Sequence, residues 1–181
     1  MLTALQTRKL TRAFSLFDVD RNGFMERVDC ELVVSATTQA MGYALGSPEY
    51  EAYYTDYMAG WNDLLQLGDS DHDQRLSLTE FCDAYDKMMA NPERFNAVIL
   101  STVKTIISLW DSNKDGKVSH SEYNAYLIAF HATETEATAA FGRLDRNGDG
   151  YLTVDELIQS AEEFFLSDDP QAPGNWLVGP Y

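Results

Sequence analysis

The chain has 181 residues, 45% of them hydrophobic, with 9 Phe, 10 Tyr and 3 Trp, so it can bury one sizeable core or two small lobes. Its 29 acidic residues outnumber 13 basic ones, for a formal net charge of −16, and such a surface excludes nucleic acid as a partner. No run of about 20 apolar residues could span a bilayer, and Met1 to Leu10, broken by Arg8 and Lys9, lacks the apolar core of a signal peptide.

Helical periodicity recurs along the chain, and each time it runs into an acidic loop. Leu10, Phe14 and Phe17 lead into a loop starting at Asp18, and Trp61, Leu64 and Leu65 into one at Asp69. Ile106, Ile107 and Trp110 precede Asp111, and Phe141 and Leu144 precede Asp145. Outgoing helices are predicted near Val28, Leu78, Ser119 and Val154. The result is an all-α chain of four helix-loop-helix units in two packed pairs. The first gap between loops is the widest and contains Gly42, Gly46, Ser47 and Pro48. Asn91 and Pro92 mark the division between halves, since proline suits the first position of a helix and disfavours helix just before it. We therefore expect an N-terminal pair over 1–91 (loops 18–29 and 69–80) and a C-terminal pair over 92–166 (loops 111–122 and 145–156). A Pro- and Gly-containing tail, 167–181, ends in the apolar Trp176, Leu177, Val178 and Tyr181 and is expected to dock.

The spacing inside the loops is the spacing of calcium chemistry. Calcium takes six to eight oxygens at about 2.3 to 2.6 Å, so a twelve-residue loop must offer oxygen at alternate positions and no soft ligand. Loop four does so with Asp145, Asn147 and Asp149 at positions 1, 3 and 5, the backbone carbonyl of Tyr151 at 7, Thr153 at 9 through water, and Glu156 at 12. Gly150 at position 6 supplies the turn of positive φ. Loop three repeats the pattern with Asp111, Asn113, Asp115, Gly116, the carbonyl of Lys117, Ser119 and Glu122. Position 8 is apolar in all four copies (Met25, Leu76, Val118 and Leu152), which suits a short strand bridge between paired loops.

Loops one and two each depart once from the pattern. Loop one offers Asp18, Asp20, Asn22 and the carbonyl of Phe24 but closes on Asp29, one methylene shorter than Glu, and a smaller ligand count favours magnesium. Glu26 at position 9 can restore an oxygen, so this is read as a mixed calcium/magnesium site. Loop two has Asp69, Asp71, Asp73, the carbonyl of Arg75, Ser77 and Glu80 but carries Gln74 where glycine belongs, a strain of about 1 to 3 kcal/mol. Its four carboxylates still attract a cation, so the count is three or four ions. Thirteen of the 29 acidic residues fall at positions 1, 3, 5 and 12 of the four loops, so much of the charge is there to bind ions. Without ions these groups repel one another and the chain is less stable.

Cys30 and Cys82 have no metal-ligand spacing and read as free, partly buried thiols, as in a reducing cytoplasmic location. Glu162 and Glu163 read as a solvated face of a helix whose Phe164 and Phe165 seek the core. No nucleophile–base arrangement or phosphate-binding glycine loop is present, so no enzyme activity is expected.

Four such loops, the wide first gap, Asp29 closing loop one, the weakened loop two and the tail Asp168, Asp169, Pro170, Ala172, Gly174 together resemble the sarcoplasmic calcium-binding protein family of EF-hand proteins, especially its calerythrin-like prokaryotic type. The resemblance covers almost the whole chain. It implies two halves packed face to face over an aromatic core, with calcium in loops one, three and four. Loop two keeps more acidic ligands than a silent loop needs. The layout is also similar to coelenterazine photoproteins and coelenterazine-binding proteins. The photoprotein histidine and tryptophan of the last helix are replaced here by Ala161 and Phe165, so no luminescent activity is expected. His72 and His120, in loops two and three, and His131, at a helix end, read as solvated surface residues.

The favoured function is a monomeric calcium buffer or transporter. The alternative is a sensor that exposes a groove to a target protein, and sensors line such grooves with methionine. This chain has only six Met, and its abundant rigid aromatics favour a closed core. A cavity for a hydrophobic ligand is the remote third reading.

Overall fold

The computed structural model describes residues 1–129 and 132–181; His131, expected at a helix end, lies outside the described residues. Among these residues there are eight α-helices: α1 (Ala4–Phe17), α2 (Arg27–Ala40), α3 (Pro48–Gly68), α4 (Leu78–Met89), α5 (Pro92–Trp110), α6 (His120–Ala129), α7 (Glu134–Leu144) and α8 (Val154–Leu166). The starts are written in the sequence. Thr3/Gln6, Ser77/Glu80, Thr133/Glu136 and Thr153/Glu156 each form a capping box, in which hydroxyl and carboxylate or amide satisfy each other's backbone N–H. Ser47 caps α3 and Asn91 caps α5, each followed by proline at the first helical position.

The four loops meet in pairs through two-residue strands. β1 (Phe24–Met25) runs antiparallel to β2 (Leu76–Ser77), with Met25 opposite Leu76. β3 (Val118–Ser119) pairs likewise with β4 (Tyr151–Leu152), with Val118 opposite Leu152. These four apolar side chains are buried, so each bridge is both a backbone ladder and a plug of core.

The core is shared between the halves. One cluster gathers Leu10, Phe14, Met25, Trp61, Leu76 and Phe81 from the first half together with Phe164 of α8. The other gathers Phe95, Trp110, Tyr123, Phe141, Leu144 and Leu157 from the second half together with Val34 and Tyr53. Phe165 joins the two, stacking on Tyr85 at 5.1 Å and meeting Phe95 edge-on at 5.9 Å. Ala161, at the other photoprotein position, is buried in the second cluster.

The tail closes over this seam through a short 3₁₀ helix, Pro173–Trp176. Tyr123 donates its hydroxyl to the Leu177 carbonyl at 3.2 Å, and Arg143 stacks over Trp176 at 4.2 Å. Lys9 is fully buried, and its ammonium donates to the carbonyls of Glu163 and Ser167 and to Asn175 Oδ1 at 2.9 to 3.0 Å. One cation thus joins α1, the end of α8 and the tail. A Cβ at Gly174 would collide with the Ser160 backbone, so only glycine lets the tail lie this close to α8. Glu163 is more than a solvated acid: it pairs with Arg146 of loop four at 2.6 Å and accepts the Gly174 N–H at 2.8 Å. His120 also departs from the solvated reading, since it opens α6 half-buried with its ring edge-on to Phe141 at 4.9 Å.

Candidate metal sites

Each loop folds around its first aspartate. Asp18 Oδ1 accepts from Asn22 N and its Oδ2 from Gly23 N, both at 3.0 Å. Asp111 does the same with Asp115 N at 2.9 Å and Gly116 N at 2.7 Å, and Asp145 with Asp149 N at 3.2 Å and Gly150 N at 2.9 Å. The asparagine side chains turn inward too: Asn113 and Asn147 at position 3 and Asn22 at position 5 accept from the backbone N–H two residues on, at 2.8 to 2.9 Å. Position 4 takes positive φ in all four loops, at Arg21, His72, Lys114 and Gly148.

The last ligand is anchored in the same way everywhere. Glu80, Glu122 and Glu156 each accept from the position-2 N–H (Ser70, Ser112, Arg146) with one oxygen and from the position-9 N–H (Ser77, Ser119, Thr153) with the other, at 2.8 to 3.1 Å. In α4 and α8 this glutamate is the acid of the capping box, so starting the helix also aims the ligand. Asp29 makes both bonds on its shorter chain, from Val19 N at 3.0 Å and Glu26 N at 2.9 Å. As a result Asp29 joins Asp18 and Asp20 with oxygens within 4.8 Å of one another. Asp69, Asp71 and Asp73 form a comparable group, with Glu80 outside it.

Electrostatics differ among these carboxylates. Burial pushes Asp29 above the usual range despite its backbone hydrogen bonds. The Ser77 N–H, ahead of the other hydrogen bonds it receives, holds Glu80 down to about 2. Burial works against Glu122, yet the Ser112 hydroxyl and the Ser119 N–H and hydroxyl bring it below the ordinary value.

Loop two closes without glycine. Gln74 takes φ 67° and gives its N–H to Asp69 Oδ2 at 3.1 Å, the bond that glycine makes elsewhere. Asp69 Oδ1, however, is buried with no hydrogen-bond partner among the described residues. An orphaned carboxylate oxygen facing an all-oxygen donor set fits a hard cation. What the sequence did not disclose is where the position-7 cations go. Arg75 stacks over Phe24 of loop one at 4.0 Å, and Lys117 stacks over Tyr151 of loop four at 4.8 Å. Arg75 also pairs with Asp73 at 2.6 Å.

The comparisons agree with this geometry. The family model for the EF hand matches residues 105–128 and 138–159, the third and fourth units. Calerythrin from Saccharopolyspora erythraea is 28% identical over 91% of this chain and 94% of its own. The sarcoplasmic calcium-binding protein alpha chain of Penaeus vannamei is 27% identical over 91% and 90%. A solved calcium-binding protein of Streptomyces coelicolor superposes with a TM-score of 0.76 at 28% identity, covering 88% of this chain and 97% of that one. The third and fourth units thus match the EF hand, and over about nine-tenths of its length the chain is similar to calerythrin and to the sarcoplasmic calcium-binding proteins.

Proposed function

We propose that this protein is a cytoplasmic, monomeric calcium buffer that holds ions in loops one, three and four and keeps its apolar surface covered throughout. Loop pairs within 1–91 and 92–166 act as two binding units, with 167–181 clamped across them. Asp18, Asp20, Asn22, the Phe24 carbonyl and Asp29 would hold the first ion, with Glu26 near enough to join and magnesium competing there. Asp111, Asn113, Asp115, the Lys117 carbonyl and Glu122 would hold the second. Asp145, Asn147, Asp149, the Tyr151 carbonyl and Glu156 would hold the third. Calcium supplies charge neutralisation: three ions would reduce the net charge from −16 to −10 and relieve repulsion among carboxylates.

The observation that carries the buffer reading is where the methionines lie. Met25, Met58 and Met88 are buried, and Met41 and Met89 pack against the aromatic core, which leaves Met1 alone of the six exposed. A sensor needs such flexible side chains free to meet a helix. The interlocking of Phe164 and Phe165 with the opposite half supports the same conclusion. The alternative, a sensor acting on a target protein, draws support from the Streptomyces coelicolor relative, which is described in terms of prokaryotic calcium-mediated regulation.

Calcium titration by calorimetry, with and without millimolar magnesium, alongside a dye that brightens on exposed apolar surface, separates the two. A buffer gives three tight ions, magnesium competition at one of them and a flat dye signal. A calcium-dependent rise in dye fluorescence would establish the sensor instead.

A further inference from the structure

Eight arginines stand in a chain with 29 acidic residues, and four of them, Arg27, Arg75, Arg94 and Arg146, pair with a carboxylate at 2.6 to 3.5 Å. Among the described residues the other four have no such partner. Arg21 lies in loop one, but Arg8, Arg12 and Arg143 come together around the end of the tail. Arg8 and Arg12 are one helical turn apart on α1, the spacing at which like charges face each other and repel. Arg143 comes from the last turn of α7. The three line two adjoining surface cavities of about 370 and 360 Å³, which share Arg8, Pro180 and Tyr181. Among the described residues neither cavity is lined by Asp or Glu.

The docked tail sets the guanidiniums in place. Arg143 stacks over Trp176 at 4.2 Å and Arg8 over the Tyr181 ring at 5.6 Å. Stacking uses the flat face of a guanidinium and leaves free the N–H edge that grips an oxyanion. Arg12 packs against the tail at Gly179, where a Cβ would come within 3.7 Å of Nη2, and its buried Nε has no hydrogen-bond partner among the described residues. A buried donor left unpaired is costly. Glu136, which feels the Arg12 charge, does not meet that need, since its Oε2 already accepts from the Thr133 N–H and hydroxyl at 2.8 and 2.9 Å.

We propose that these adjoining cavities form an anion site, in which Arg8, Arg12 and Arg143 hold the phosphate group of a small soluble phosphomonoester. The site lies apart from the four loops and does not depend on the calcium reading. Three guanidiniums without a counter-charge favour more than one negative charge, and a phosphomonoester carries close to two at neutral pH where a carboxylate carries one. The arginine fork also matches phosphate oxygens in pairs. Cavities of this volume suit a small molecule. The chain as a whole, at a net charge of −16, repels anions from the rest of its surface and repels an anionic membrane, which favours a soluble ligand over a lipid headgroup.

Calorimetric titration of the full chain with phenyl phosphate at low salt tests this, with phenol as the uncharged control. The wild type should bind one phenyl phosphate saturably, with a Kd of about 0.1 to 1 mM, and should not bind phenol. Arg8→Gln and Arg143→Gln should each weaken binding by about tenfold. Arg8 is exposed, so its replacement leaves the core intact and decides the case even if loss of Arg143 loosens the tail. Lys104→Gln removes the same charge from an exposed position of α5 outside both cavities and should stay within about twofold of wild type. No saturable binding by the wild type, equal binding of phenol, or a loss in Lys104→Gln as large as that in Arg8→Gln would overturn the site. Sedimentation with phosphatidylcholine vesicles containing phosphatidic acid should leave the chain in solution. Co-sedimentation that Arg8→Gln abolishes would overturn the soluble ligand in favour of a lipid headgroup.

Discussion

The two loop pairs share one backbone plan and differ in what their side chains do with charge. In the C-terminal pair, Lys117 rests on Tyr151 and neutral Asn amides hold the position-5 aspartates. In the N-terminal pair, Arg75 rests on Phe24 in the same way but reaches further, into Asp73 and toward Glu26. The closing residue differs as well: Glu122 and Glu156 stand back on the capping positions, while Asp29 is drawn into the carboxylate cluster. The lesson is that the four loops keep one fold and one kind of strand bridge while the side chains at position 7 and at the closing position differ.

The largest effect should come from breaking the stronger pair at its last ligand. Glu156→Gln removes a charge and an oxygen that closes loop four, and we expect that site to weaken by about two decades, so that one ion per chain is lost at micromolar calcium. Unchanged stoichiometry by calorimetry would mean that loop four is not a site. Next come the bridges. Leu152→Ala empties a fully buried position opposite Val118, and should cost about 2 to 4 kcal/mol by denaturant unfolding. It should weaken loops three and four together and spare loop one. Leu76→Ala, at the equivalent buried position, should do the reverse. If either change weakened all the loops equally, the pairs would not be separate binding units.

A subtler comparison uses Asp29→Glu, which gives loop one the closing residue of the other three. Calcium should gain on magnesium by several-fold, because a second oxygen comes within reach of the larger ion. The added methylene enters a fully buried position and should cost about 1 kcal/mol of stability. Equal selectivity in the variant and the wild type would show that the length of Asp29 does not set the preference.

The smallest effect lies at the clamp between halves. Burial lowers Lys9 to about 8 from an ordinary 10.5. Between those values the unfolded chain binds more protons than the folded one, so this group adds stability as pH rises from 8 to 10.5, and that contribution is lost as pH falls through about 8. Lys9→Met removes the dependence, and the stability deficit of the variant relative to wild type should therefore widen across that window. A deficit that is constant in pH would mean that the ammonium is not desolvated in the fold.

How much of this was legible in the sequence follows from how local the signal is. The loops, the strand bridges at Met25, Leu76, Val118 and Leu152, and the helix start at Pro92 are fixed by neighbours within a few residues, and the structure places them where the spacing does, whereas Pro48, read as part of a connection, opens α3. The exchange of Phe164 and Phe165 across the halves, the burial of Lys9 and the use of Glu163 by both Arg146 and Gly174 depend on residues far apart in the chain. No periodicity could announce them. Arg75 lies between these cases. Its backbone role followed from its place in the loop, but its guanidinium bond to Asp73 depends on Asp71 lacking a donor and on Phe24 lying across the bridge.

The central claim, calcium held by three strong loops in a chain that stays closed, is tested most directly by native mass spectrometry of the wild-type chain titrated with calcium. The account predicts a monomer that passes to a dominant three-ion species at micromolar calcium and takes a fourth ion only at higher concentration. A chain that binds no ions, or that saturates with two, would contradict it.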